Sequence, residues 1–281
     1  MTVIDNLSSG NESNIAHLSG NPGLEFVKGS ILDSEVLYRT FKNATYIFHQ
    51  AAIPSVPRSV ANPWATNETN VNGTLKVLTA ARDSGARKVV YASSSSVYGE
   101  TSTLPKVETM ATDPLSPYAV SKLAGENYCR AFEHVYSLPT ASLRYFNVFG
   151  PRQDPDSEYS AVIPKFFKAV LAGQAPVIYG DGVQTRDFTY VKDVARANIL
   201  AAENGASGAY NIGGGKSVSL NGLAKLVLAL AGREDIRPVY EIERKGDIKH
   251  SLADISKAAT FGWEPEFTLE AGLGEILRGL R

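Results

Sequence analysis

The stretch Lys88-Val-Val-Tyr-Ala-Ser-Ser-Ser-Ser-Val-Tyr-Gly99, followed by Ser116-Pro-Tyr-Ala-Val-Ser-Lys122, decides the fold of this chain. Its first part begins with the apolar, β-branched residues of a buried strand and ends in four serines. Its second part begins with Ser-Pro, a typical start of a helix. Similar apolar runs alternate with helical patterns elsewhere, which predicts an α/β fold with a doubly wound parallel sheet.

The alternation of elements is clear along the N-terminal half. Helices are predicted where capping residues precede a helical pattern, for example after Asp33. The predicted strands cover residues 2–5, 24–27, 46–48, 88–91 and 140–143. The predicted helices cover residues 35–41, 62–83 and 116–136, and lie near 160–172, 192–203, 219–231 and 268–280.

Tyr118 and Lys122 are four residues apart, so a helix places them on one face. An amphipathic helix with an inward aromatic ring and an outward lysine is the ordinary explanation of this spacing. The serine-rich strand end upstream favours a catalytic role for the pair instead, because ligands bind beyond the carboxyl ends of parallel strands. A phenol ordinarily titrates near pH ~10. We therefore expect Lys122 to lower the pKa of Tyr118 and make it a proton-transfer group.

Composition excludes several classes of partner. The chain has 281 residues, 43% of them hydrophobic, and a formal net charge of −1, which gives no reason to expect nucleic acid. A single cysteine, Cys129, excludes an internal disulfide, and the four histidines lack metal-ligand spacing, so no metal is predicted. No apolar run approaches the ~20 residues of a membrane span. We expect a cytoplasmic protein without a membrane partner.

Further motifs carry a family resemblance. They are His49-Gln-Ala-Ala52, Asn70-Val-Asn-Gly-Thr74, Arg144-Tyr-Phe-Asn-Val-Phe-Gly-Pro151 and Tyr210-Asn-Ile-Gly213. Together with the serine run and Tyr118-x-x-x-Lys122, they resemble the extended short-chain dehydrogenase/reductase family, which includes NAD-dependent epimerases and dehydratases. The sequence is most similar to its UDP-glucose and UDP-N-acetylglucosamine 4-epimerases, over essentially the whole chain.

The resemblance implies two regions of different function. Residues 1–150 with about 183–214 would form a Rossmann domain that binds NAD, and residues about 151–182 with 215–281 a lobe that binds the nucleotide sugar. The family begins with a strand and a Gly-x-x-Gly-x-x-Gly turn that holds the pyrophosphate of NAD. Here Thr2-Val-Ile-Asp5 resembles the second strand of the family, so we expect a truncated or misassigned start.

The resemblance also assigns residue roles. The catalytic residues would be Ser94, which hydrogen-bonds the sugar 4-oxygen, Tyr118, which transfers the proton of the 4-hydroxyl, and Lys122. The residues implied to bind the cofactor are Asp5, Asn6, Ser30, Ile31, His49, Ala51, Ala52, Asn70, Ser93, Tyr118, Lys122 and Tyr145. The residues implied to bind the UDP-sugar are Ser94, Ser95, Tyr118, Asn147, Ser160, Ala161, Val162, Tyr179, Arg186, Arg244, Asp247 and Ser251.

The resulting expectation is an NAD-dependent UDP-sugar 4-epimerase that acts through a transient 4-keto sugar. It would interconvert UDP-glucose and UDP-galactose. Ser251 takes a position where small residues accompany acceptance of N-acetylated sugars, so the resemblance extends the expectation to a UDP-N-acetylhexosamine. Because members of this family form dimers, the resemblance also implies a homodimer through helices 62–82 and 116–136.

Two alternatives stay open at this point. One is a sugar-nucleotide dehydratase or decarboxylase, although the Asp-Glu pair of the dehydratases is replaced by Ser95 and Ser96. The other is a non-catalytic protein that binds nucleotide sugars, should the glycine turn be genuinely missing.

Overall fold

In the computed structural model, residues 1–154, 161–243 and 249–280 are described. The strands are β1 Thr2–Asp5, β2 Glu25–Lys28, β3 Tyr46–His49, β4 Lys88–Ser94, β5 Thr140–Tyr145, β6 Val148–Phe149, β7 Val177–Tyr179, β8 Thr185–Asp187, β9 Thr189–Tyr190, β10 Gly208–Ile212, β11 Ser217–Ser219 and β12 Val239–Glu241. The helices are α1 Ser34–Phe41, α2 Val56–Ala61, α3 Pro63–Asn67, α4 Gly73–Asp83, α5 Pro117–Tyr136, α6 Val162–Leu171, α7 Val191–Glu203, α8 Leu220–Ala231 and α9 Leu269–Leu280.

The chain divides into two compact units. The first contains residues 1–97, 114–143 and 201–209, and the second contains residues 98–113, 144–200 and 210–281. The sequence predicts a different kind of division, into a domain that binds NAD and a lobe that binds the nucleotide sugar. That division stays a prediction.

In the first unit, parallel strands form two sheets. β1 pairs in parallel with β2, and β3 pairs in parallel with β4, which has β5 on its other side. All of β4 up to Ser93 is buried, as expected for a central strand covered on both faces. The core of this unit packs β3 and β4 against α1, α4 and α5 through residues such as Leu37, Leu78 and Val89. The predicted α/β fold is therefore confirmed.

Helix starts follow the capping residues seen in the sequence. Asp33 accepts the N–H groups of Glu35 and Val36 before α1, and Ser116 accepts that of Ala119 before α5. The helix predicted over residues 62–83 is not a single α-helix, since a π-helical segment at Glu68–Asn72 separates α3 from α4. Such segments occur frequently at functional sites.

The second unit has its own core and several short strands. β8 pairs antiparallel with β11, β7 parallel with β12, and β6 parallel with β9. Its core joins α6, α8 and α9 through large apolar side chains such as Phe166, Phe167 and Leu223. Within the described parts of the chain, no helix has the length and apolarity needed to cross a membrane.

Gly125 sets the approach of α5 to β4. A Cβ atom at this position would lie 2.2 Å from the hydroxyl oxygen of Tyr91 and 2.4 Å from its ring. Tyr91 is 1% exposed, so its ring cannot move aside. A glycine here therefore lets α5, which carries Tyr118 and Lys122, lie directly against the central strand.

Gly125→Ala is expected to destabilise the protein by about 1–3 kcal/mol, because the added methyl group overpacks a buried contact. The measurement is urea unfolding at neutral pH. The matched control is Gly274→Ala in α9, where the atom nearest to the added methyl carbon would be 3.8 Å away. That change is expected to stabilise by about 0.5–1 kcal/mol. Equal effects of the two substitutions would contradict the close contact.

Candidate active site

The first unit brings together Ser94, Tyr118 and Lys122. Ser94 is the last residue of β4, and the other two lie in the first two turns of α5. The Tyr118 hydroxyl lies close enough to Ser94 for the two side chains to interact. The Ser94 Oγ atom also accepts the N–H of Ser96 at 3.2 Å and lies 2.9 Å from its Oγ atom. The predicted strand end and helix face therefore meet.

Lys122 is a buried cation held on several sides. Its Nζ atom donates to the Ala92 carbonyl oxygen at 2.8 Å. It lies 5.2 Å from the ring centre of Tyr91 and 5.8 Å from that of Tyr118, within cation–π range. Lys122 is only 4% exposed. Burial lowers its pKa to about 8.

The pKa of Tyr118 differs from the sequence expectation. Burial raises the pKa of this phenol, and its interaction with the Ser94 side chain offsets only part of that effect. The expected net lowering by Lys122 is therefore wrong for this structure. The physical reason is desolvation, which disfavours the phenolate and depends on packing that the spacing of two residues does not reveal.

Asn70 and His49 line the same region of the first unit. Asn70, in the π-helical segment, accepts the Ile53 N–H at 2.8 Å and donates to Ser121 Oγ at 3.0 Å. His49 Nε2 lies 2.8 Å from Thr74 Oγ1. Burial lowers the pKa of His49 to about 3, so the imidazole is neutral at physiological pH. A neutral imidazole with so low a pKa is poorly suited to acid–base chemistry at this pH.

Ser93 has a partner that the sequence analysis did not identify. Its Oγ atom donates to a carboxylate oxygen of Glu126, which is 8% exposed. Tyr118, Lys122 and Glu126 recur every four residues, so the spacing on α5 could have revealed Glu126. This bond fixes the strand end directly beside Ser94.

The remaining candidates for cofactor binding in the first unit follow parallel strands. Asp5 and Asn6 come at the end of β1, Ser30 and Ile31 follow β2, and Ala51 and Ala52 follow β3. Asp5 is exposed and accepts the Leu7 N–H at 2.7 Å. A Cβ atom at Gly10 would lie 3.2 Å from Asp5 Oδ2, so glycine keeps space beside this carboxylate.

This donor set fits a dinucleotide. A carboxylate after β1 suits ribose hydroxyls, and the small residues after β3 leave room for a flat ligand at the carboxyl ends of the strands. Asp5, His49, Asn70 and Lys122 would hold NAD here. Ile31 is instead buried against Gly73, where a Cβ atom would approach it to 2.5 Å, so its side chain serves packing.

The second unit contains most of the residues predicted to bind the UDP-sugar. Asn147 Nδ2 donates to the Asp187 carbonyl oxygen at 2.8 Å. Arg186 Nη1 donates to the Thr185 carbonyl oxygen at 2.9 Å. The Ser251 N–H donates to the Thr185 carbonyl oxygen at 3.1 Å, and Ser251 is 6% exposed. Strand β8 therefore brings these three residues together.

The other predicted residues are spread over both units. Ala161 and Val162 form the start of α6, and Tyr179 ends β7. The Tyr145 hydroxyl bonds Asn198, in the second unit. Ser95 is partly buried, in the first unit. Ser160, Arg244 and Asp247 lie outside the described residues. A cleft of about 270 Å³ is lined by residues that include Asp181, Gln184, Glu243, Lys249 and His250. Arg186 Nη1 donates to the carbonyl oxygen of Lys249 in this lining at 3.3 Å.

The sequence analysis also missed two buried residues of the second unit, Asn211 in the quoted Tyr-Asn-Ile-Gly motif and Asp187 directly after Arg186. Asn211 donates to the carbonyl oxygens of Lys106 and Asp254 and accepts the Tyr98 hydroxyl at 2.6 Å. Asp187 is fully buried, and its carboxylate accepts only backbone N–H groups among its described contacts. Among the groups of acidic, cysteine and histidine residues that the structure describes, none could hold a metal ion.

Lys122→Met tests the burial of this charge. Between pH 8 and 10.5 the unfolded chain holds the lysine proton and the folded chain does not, so the contribution of Lys122 to stability rises with pH. Below this range its buried charge costs about 3 kcal/mol. Between pH 8 and 10.5 the native protein should therefore gain about 3 kcal/mol of unfolding free energy relative to the variant.

The measurement is urea unfolding at several pH values. The control is Lys76→Met, which removes a similar bond, from Lys76 Nζ to the Leu32 carbonyl oxygen at 2.7 Å, but from a partly exposed side chain. A stability difference between native protein and the Lys122 variant that does not change with pH would contradict the account.

Several known proteins are similar to this chain in sequence and in structure. The UDP-glucose 4-epimerase of Mycolicibacterium smegmatis is 38% identical over 283 residues, 99% of this chain and 90% of that protein. A structure of a UDP-N-acetylglucosamine 4-epimerase from Methanobrevibacter ruminantium M1, in complex with UDP-N-acetylmuramic acid, matches with a TM-score of 0.96 and 45% identity. The match covers 99% of this chain and 89% of that one.

A third relative was solved with a cofactor. The Thermus thermophilus UDP-glucose 4-epimerase in complex with NAD matches with a TM-score of 0.88 and 34% identity, over 99% of this chain and 90% of that one. Proteins named dTDP-glucose 4,6-dehydratase match as well, at 33% identity. The model of the NAD dependent epimerase/dehydratase family matches residues 1–213. The chain therefore belongs to the NAD-dependent epimerase/dehydratase family, whose cofactor is NAD, and its relatives include UDP-sugar 4-epimerases.

Proposed function

We propose that this protein is a UDP-sugar 4-epimerase that inverts carbon 4 of a UDP-hexose through a transient 4-keto sugar. The observation that carries the proposal is the meeting of Ser94, Tyr118 and Lys122 at the end of β4. NAD, when bound, supplies the hydride acceptor and donor for carbon 4. The chain itself must then move one proton at the 4-oxygen in each direction.

Each residue of the set has a distinct task. Tyr118 accepts the proton of the 4-hydroxyl and returns it when the configuration has inverted. Ser94 hydrogen-bonds the 4-oxygen, which it can do because its hydroxyl already lies beside that of Tyr118. Lys122 favours the charged form of the phenol through its ammonium, 5.8 Å from the ring centre, against the opposing effect of burial.

The second unit supplies the candidate residues for the nucleotide sugar. Arg186 suits a diphosphate, since guanidinium meets phosphate oxygens in a bidentate fork, and Asn147 offers an amide donor. The substrates proposed are UDP-glucose and UDP-galactose. The small side chain of Ser251 extends the proposal to UDP-N-acetylglucosamine and UDP-N-acetylgalactosamine, and the similarity to a UDP-N-acetylglucosamine 4-epimerase supports this.

A dehydratase is the alternative within the family. Dehydratases need carboxylate acid–base residues beside the tyrosine, whereas Ser95 and Ser96 stand at those positions. Hydroxyl groups are poor bases at neutral pH, so the epimerase is favoured. A buried lysine cation next to a tyrosine costs stability. A protein that only binds nucleotide sugars has no function that requires this cost.

Tyr118→Phe is expected to lower turnover by about 10²–10⁴-fold, since it removes the proton carrier and keeps the ring. The assay incubates the chain and NAD with UDP-glucose and, separately, with UDP-N-acetylglucosamine, and measures the axial 4-epimer of each. Conversion of UDP-glucose alone would overturn the extension to acetylated sugars.

The matched control is Tyr128→Phe on the same helix, which is partly buried and outside the Ser94, Tyr118 and Lys122 set. It should keep nearly full activity. Undiminished turnover in the Tyr118 variant would end the assignment of that residue.

The predicted homodimer is part of the proposal. Trp64 in α3 is 85% exposed, Val60 in α2 is 65% exposed and Val120 in α5 is 51% exposed. α2 and α3 both pack against α5, so these exposed apolar side chains belong to one group of packed helices. An exposed patch of this kind favours contact with a second chain.

Light scattering should give the mass of two chains for the native protein and of one chain for Trp64→Glu, because a carboxylate cannot be buried at an apolar interface without a large cost. Ile242→Glu is the control, since Ile242 is 91% exposed but lies in the second unit. A native mass of one chain would rule out the dimer.

A further inference from the structure

A buried carboxylate in the second unit has no role in the proposed proton transfer. Asp187, the last residue of β8, is 0% exposed. Its Oδ1 atom accepts the Gly214 N–H at 2.6 Å, and its Oδ2 atom accepts those of Gly215 at 3.2 Å and Ala253 at 2.9 Å. One side chain therefore holds the turn after β10 and the segment that contains Ser251.

The carboxylate explains the glycine that ends the Tyr-Asn-Ile-Gly motif and the glycine that follows it. A Cβ atom at Gly213 would lie 2.9 Å from Asp187 Oδ2 and 2.6 Å from the Ala253 Cβ atom. A Cβ atom at Gly214 would lie 3.1 Å from Asp187 Oδ1 and 2.5 Å from the Phe188 carbonyl oxygen. Only a turn without side chains can approach the carboxylate closely enough to bond it.

The backbone around Asp187 carries the candidate substrate residues. Its own carbonyl oxygen accepts Asn147 Nδ2 at 2.8 Å, and Arg186 precedes it on β8. The neighbouring Thr185 accepts the Ser251 N–H through its carbonyl oxygen. All three candidates are thus attached to the short stretch that the carboxylate fixes.

We propose that Asp187 is a positioning residue for nucleotide-sugar binding, which holds Arg186, Asn147 and Ser251 in place through its bonds to Gly214, Gly215 and Ala253. The inference rests on the proposed function, since it assigns the diphosphate and the sugar to these residues.

The energetics agree with a positioning role. A buried carboxylate without a cationic partner is costly, and an apolar residue would serve the stability of the fold better. Burial raises the pKa of Asp187 to about 6, and its three bonds to backbone N–H groups offset part of that effect. The charged carboxylate persists at neutral pH because these donors are oriented toward it.

Asp193 provides a matched comparison. It is 1% exposed, lies in the same unit, and accepts the N–H groups of Glu266 at 2.9 Å and Phe267 at 3.1 Å. Its contacts hold a segment that precedes α9 and carries none of the candidate substrate residues. Removing either carboxylate takes away bonds to backbone N–H groups, and Asp193 also lies 3.9 Å from Arg196 Nη2. Only Asp187 is next to Arg186 on β8.

The experiment compares Asp187→Asn with Asp193→Asn in the full chain with NAD. Asp187→Asn should weaken UDP binding in calorimetry at least tenfold and raise the KM for the UDP-sugar equally, with kcat within threefold of native. A raised KM with an unchanged kcat is expected when a substitution removes binding energy that the ground state and the transition state share. Asp193→Asn should change the Kd of UDP less than twofold, although it lowers the melting temperature.

Unchanged UDP affinity in Asp187→Asn, or equal weakening in Asp193→Asn, would overturn the inference alone. Failure of the native chain to bind UDP would overturn the proposed function and the inference with it. Should Asp187→Asn not fold, hydrogen exchange of the native protein decides. UDP should slow exchange of the Gly214 and Ala253 amides at least fivefold and leave that of Phe267 unchanged, and equal exchange with and without UDP would refute the proposal.

Discussion

The buried ammonium of Lys122 is the constraint on which the active-site region depends. It is held by the Ala92 carbonyl oxygen at the end of β4 and lies over the rings of Tyr91 and Tyr118. A lysine is strongly hydrated in water, so its burial requires these partners. The strand end, the first turns of α5 and the close contact at Gly125 are arranged around that one charge. The reactive phenol is thereby placed beside Ser94.

The two units handle buried charge in a similar way. Lys122 is stabilised by a carbonyl oxygen and aromatic faces, and Asp187 by three backbone N–H groups. In both cases the backbone, rather than an oppositely charged side chain, provides the main described hydrogen-bonding partners. A charge held this way fixes the backbone segments that it bonds. Both arrangements cost stability, and that cost is expected where function requires it.

Local signals allowed much of the fold to be predicted. Asp33 and Ser116 cap helices as expected, because capping involves only neighbouring residues. The boundaries of the first five strands were predicted within three residues, since buried strands are short apolar runs. The π-helical segment around Asn70 was missed because its cause is tertiary: Asn70 bonds Ile53 and Ser121, distant in sequence. The rise in the pKa of Tyr118 and the contacts of Asp187 depend on burial, which periodicity does not reveal.

The most direct test of the epimerase assignment follows one hydrogen atom. UDP-glucose deuterated at carbon 4 is incubated with the chain and NAD in ordinary water, and the product is analysed by mass spectrometry and NMR. The account predicts UDP-galactose that retains deuterium at carbon 4, with no solvent hydrogen at carbon 5 or 6. A 4-keto-6-deoxy product, or exchange of solvent hydrogen into carbon 5, would contradict it.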